Sequence, residues 1–91
     1  MTHTKSKQRN DFIHFRDRLE QRYKIKISRD DYRNLCNQVK SGRSIFLGRQ
    51  TPGRTVHQVK LDRMRFIVVY NTNVGNITTV LYPGKTYKLV F

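Results

Sequence analysis

The sequence predicts an α+β domain in which two N-terminal helices pack on one face of a four- to five-stranded antiparallel sheet. Three observations carry this. Apolar residues recur at spacings of three and four as far as Val39, and beyond Gly42 they alternate or run in short blocks. The strand-like segments are joined by short polar turns, which favours antiparallel neighbours. Helices followed by strands bury their apolar stripes most simply as one layer on another.

Residues 1–9 read as a flexible basic arm, with Lys5, Lys7 and Arg9 and no apolar residue after Met1. A single domain spans residues 10–91. The first helix is expected to start at Asn10 or Asp11, both good caps, and Phe12, Phe15, Leu19 and Tyr23 form its apolar stripe. His14, Arg18 and Arg22, each four apart, make a second stripe beside the first. Tyr23 to Ile27 is a link. Ser28 then opens the second helix, with Asp31 placed to close an acidic capping box. Tyr32, Leu35, Cys36 and Val39 form the buried stripe, and Gly42 ends the helix.

Strands are expected at Ser44–Gly48, Arg54–Leu61, Met64–Asn71, Asn76–Tyr82 and Tyr87–Phe91. Thr51-Pro52-Gly53, Asp62-Arg63 and Pro83-Gly84 supply turns. On the second strand Thr55, His57, Val59 and Leu61 share a face. The third is apolar on both faces in its middle, as a central strand should be. Strict alternation on the fourth puts Ile77 and Thr79 on one face and Thr78 and Tyr82 on the other.

Charge narrows the function. The chain has 91 residues, 19 Lys and Arg, 6 Asp and Glu and a formal net charge of +13. Self-repulsion on that scale opposes a compact state and points to a polyanionic partner, nucleic acid first. Cys36 is the single cysteine, which excludes an intrachain disulfide, and a reducing cytoplasm is the expected location. No apolar run is long enough for a membrane helix. No Walker motif, zinc pattern or magnesium-binding carboxylate cluster is present, so neither cofactor nor metal is expected.

The element order resembles the barnase–EndoU–colicin–RelE superfamily of small RNases and toxins, over residues 12–82. The residues behind the likeness are His14, Arg18 and Arg22 on the first helix, Ile27-Ser28 before the second, and the strands from Arg65 to Tyr70 and from Ile77 to Val80. The resemblance implies a metal-independent endoribonuclease of toxin type. Its RNA would be tRNA or mRNA, and an acidic antitoxin or immunity protein would be its partner. The alternative is a non-catalytic nucleic-acid-binding protein of phage or mobile-element origin.

Metal-free RNA cleavage needs a base for the 2′-hydroxyl, an acid for the leaving 5′-oxygen and cations around the phosphorane. With few carboxylates the chain must draw on His, Tyr or Lys. His3 lies in the arm, which leaves His14 and His57, and the resemblance adds Thr79. Tyr82 joins them as an acid or base-stacking residue. Arg18, Arg22, Lys60, Arg65 and Tyr70 are the candidate nucleic-acid contacts. Each also has a structural reading: a boundary histidine on a helix, a partly buried histidine in a sheet, a solvated helix face, an edge decoration, a strand-forming threonine, or buried aromatics at strand ends.

Overall fold

A computed structural model describes residues 4–81, with side chains from Asp11 to Leu81. Helices α1 (Thr4–Tyr23) and α2 (Arg29–Lys40) precede strands β1 (Ile45–Thr51), β2 (Arg54–Leu61), β3 (Met64–Asn71) and β4 (Asn76–Val80). The strands form one antiparallel meander in the order β1-β2-β3-β4. The expected α+β class is therefore observed. The expected strand Tyr87–Phe91 lies outside the described residues.

Helix α1 starts at Thr4, not at Asn10 or Asp11, so Thr4–Arg9 of the expected flexible arm are helical. Lys, Gln and Arg propagate a helix well, and an internal Asn or Asp does not stop one. The start of α2 follows the sequence expectation. Asp31 N–H donates to Ser28 Oγ at 3.1 Å, and Ser28 N–H donates to Asp31 Oδ2 at 3.1 Å. At its other end Gly42 takes φ +76°, a region open to glycine, and its N–H donates to Val39 O at 3.2 Å.

The two helices cover one face of the sheet. Phe12, Phe15 and Leu19 from α1 and Tyr32, Leu35 and Cys36 from α2 bury themselves against Val59, Phe66, Val68, Tyr70, Ile77 and Val80. The Tyr23 and Phe66 rings meet edge to face at 4.9 Å. Cys36 is a small core residue, as its stripe predicts, and burial pushes its thiol pKa up. Burial likewise raises the Tyr32 pKa, and its hydroxyl donates to Ile77 O at 2.7 Å.

The helices also satisfy backbone groups that strand pairing leaves over. Tyr32 and Cys36 meet the carbonyl and N–H of Ile77 on β4. Arg22 donates to Val80 O, and Tyr23 Oη donates to Leu81 O at 3.1 Å. On β2, pairing with β1 ends at Gln58. Past that point Gln38 of α2 takes both backbone groups of Lys60, at 3.0 and 2.6 Å.

Strict alternation fails on β4. Val69 pairs with Thr79 but Tyr70 pairs with Ile77, so Thr78 is an extra residue. Ile77 therefore faces the helices and Thr79 the opposite side, against the expectation that they share a face. The Thr78 hydroxyl donates to Val69 O at 3.2 Å at the irregularity.

Candidate nucleic-acid interface

Two sets of candidate side chains come from the sheet, one on each face. On the helix-facing side, α1 packs on β4 and α2 on β2 and β4, while β1 is at the edge of the four described strands. His57 of β2 lies between Phe46 of β1 and Val68 of β3. It is 9% exposed. Its Nδ1 is 3.0 Å from Ser44 Oγ and its Nε2 is 2.8 Å from Thr55 Oγ1. A neutral imidazole has one donor and one acceptor, and each hydroxyl can do either, so both tautomers satisfy both contacts. Burial lowers the His57 pKa, which keeps the ring neutral at about pH 7.

Aromatic rings flank this imidazole. Phe46 meets it edge to face at 5.5 Å and Tyr70 at 6.0 Å. Tyr70 is buried, and its hydroxyl reaches the end of the sheet where Lys40 and Gly75 converge. A β-carbon placed on Gly75 would lie 3.6 Å from both Lys40 Cε and Tyr70 Oη. Gly75 has φ +76°, so only glycine sits there without strain. Arg49 pairs with Thr55 and so stands on this same face of the sheet.

The opposite face is charged differently from the helices. Lys60 and Arg65 sit directly across from each other on β2 and β3, both exposed. Like charges so placed oppose pairing. The strands carry Arg49, Arg54, Lys60 and Arg65 and no carboxylate. Of the six carboxylates, Asp62 is in a turn and the others are on the helices. Ion pairs are found on the helices, Arg16–Asp17 at 3.4 Å and Arg33–Asp30 at 3.9 Å. A surface depression on α1 is lined by Asp17 and Glu20 with Lys24, so it suits phosphate poorly, while a second one beside α2 is lined by Asp30 together with Arg33 and Arg43.

The sequence-derived residues are distributed as follows. His14 is exposed on α1, the helix that packs on β4, two strands away from the β2 that carries His57. Arg18 is exposed on the same helix. Arg22 is used to hold the end of β4. Tyr70 is 8% exposed and offers no open ring face for stacking. Thr79 is half-buried on the face away from the helices, with Val69 as its partner. Lys60 and Arg65 do come together. Tyr82 lies outside the described residues. Sequence reasoning missed Lys40, Ser44, Phe46 and Arg49. The alternation after Gly42 marks a strand there, but nothing local marks it as the edge strand, which is what leaves Phe46 exposed.

Among the described residues no group of His, Cys, Asp or Glu is arranged to hold a metal ion, and no helix is long and apolar enough to cross a membrane. No protein-family model, curated protein or solved structure matches the chain. The likeness to the RNase and toxin superfamily rests on the motifs alone.

Proposed function

We propose that this protein binds RNA through the cations of its sheet. The observation that carries the reading is the opposed pair Lys60 and Arg65 on strands that hold no carboxylate. A polyanion converts that repulsion into attraction, and the release of its counterions adds favourable free energy. The test is RNA affinity measured across a salt series. A steep fall with salt supports the reading, because log K drops by roughly 0.7 per single-strand phosphate contacted for each unit of log salt. A flat response contradicts it.

A second reading, metal-independent RNA cleavage, is favoured by the neutral His57 imidazole bonded to the half-buried Ser44 hydroxyl. In this reading a substrate 2′-hydroxyl gives up its proton to the His57 imidazole. The 2′-oxygen bonds to phosphorus, the bond from phosphorus to the 5′-oxygen breaks, and Tyr70 Oη protonates that oxygen. Lys40 and Arg49 supply positive charge to the phosphorane. Incubation with tRNA and with mRNA in EDTA tests it. Fragments ending in 2′,3′-cyclic phosphate, lost in His57→Ala, support cleavage. Intact RNA that still shifts on a native gel removes cleavage and leaves binding.

A further inference from the structure

We propose that Phe46 is a stacking platform for one unpaired base, so that the RNA accepted at the β1 end of the sheet is single-stranded. The inference rests on the RNA-binding reading, adds the substrate class, and places the base on the helix-facing side of β1 and β2, across the sheet from Lys60 and Arg65. Phe46 is 48% exposed although its cross-strand partner His57 is 9% exposed. The two rings are in contact at 5.5 Å and 65°, so one side of the phenyl is braced against an imidazole that two hydroxyls fix in turn. A braced, half-open aromatic ring on an edge strand is what a free base needs, since it presents a π-surface with little conformational entropy to lose. A base inside a duplex has both faces covered by its neighbours and cannot use it.

Charge on the same face identifies the occupant. Arg49 stands with Phe46 on the helix-facing side of β1 and β2, and Lys40 closes the neighbouring end beside Tyr70. These cations suit the phosphates on either side of a stacked base. A second copy of the chain is a poor occupant, because each carries +13. Two register shifts on β1, between Phe46 and Gly48 and between Arg49 and Thr51, also break up the flat ladder that edge-to-edge pairing requires.

The chain contains no Trp, so Phe46→Trp installs a single tryptophan, excited apart from the tyrosines, at the site. Single-stranded polyuridine should change its emission, while polyphosphate and duplex RNA should not. In parallel, Phe46→Ala should weaken binding of the single strand by about 5- to 150-fold, the range for loss of one stacked base. Duplex binding should be unchanged, and Phe46→Tyr should restore the single-strand affinity. If Phe46→Ala weakens neither or both equally, or if the tryptophan does not respond, the stacking platform is wrong while RNA binding stands. If the unaltered protein binds no RNA at all, both proposals fall.

Discussion

In the helical layer Asp17 lies 3.4 Å from Arg16 and Asp30 lies 3.9 Å from Arg33, whereas the strands carry Arg49, Arg54, Lys60 and Arg65 with no carboxylate. The difference separates two uses of positive charge. Exposed helical ion pairs contribute roughly 0–1 kcal/mol each and mainly keep a basic surface solvated. The strand cations have no such company, and Lys60 faces Arg65. A fold selected for stability alone would place an acid at one of those positions. The edges differ as well. On the β4 side Arg22, Tyr23, Tyr32 and Cys36 take up leftover backbone groups, while β1 leaves Ile45 and Phe46 about half exposed.

The largest perturbation should join the two layers in one loss. Phe66→Ala removes a fully buried ring that packs on Tyr23 of α1 from the middle of the sheet. It should cost about 3–5 kcal/mol in denaturant unfolding, with helix and sheet signals lost together. Separate transitions would break the picture of one core shared by both layers.

Much of that shared core is legible in the sequence. The stripes Phe12–Phe15–Leu19 and Tyr32–Leu35–Cys36 and the limits of β2 and β3 follow from spacing, because burial enforces the period locally. The Ser28–Asp31 capping box is legible for the same reason, since both partners lie within one turn. What escaped depends on distant residues. Thr79 changes face because an extra residue at Thr78 is accommodated against Val69, and alternation cannot foresee that. His14 and His57 carry the same side chain on elements that periodicity describes well, yet only the packing of α1 on β4 separates them. Phe46 lies in the expected strand Ser44–Gly48, but its exposure follows from the strand order, which puts β1 at the edge of the described sheet.

Ser28→Ala acts on the helical layer alone. It should lower stability by about 1 kcal/mol through loss of the cap, with RNA affinity unaltered at a temperature where the variant is folded. A parallel fall in affinity would mean that the first turn of α2, far along the helix from Lys40, takes part in binding.

The smallest effect should come from His57 in the sheet. Burial lowers its pKa in the folded state, so the unfolded chain binds the extra proton more readily. Stability from this group is therefore present near pH 7 and declines as pH falls through the ordinary imidazole range around 6.5. Unfolding curves between about pH 7 and pH 5 should show a decline that is shallower in His57→Gln. Equal slopes would mean that His57 is as easily protonated as a solvated histidine.

If the strand cations, rather than the exposed arginines Arg18 and Arg33 of the helices, hold the polyanion, charge reversal of each pair shows it most directly. RNA affinity would be measured against salt for Lys60→Glu with Arg65→Glu, and for Arg18→Glu with Arg33→Glu. The sheet pair should weaken binding and make the slope of log K against log salt shallower by roughly 1.4, or 0.7 for each lost phosphate contact. The helix pair should leave that slope unchanged. The reverse result, a slope reduced by the helical substitutions and untouched by those in the sheet, would place the polyanion on the helices.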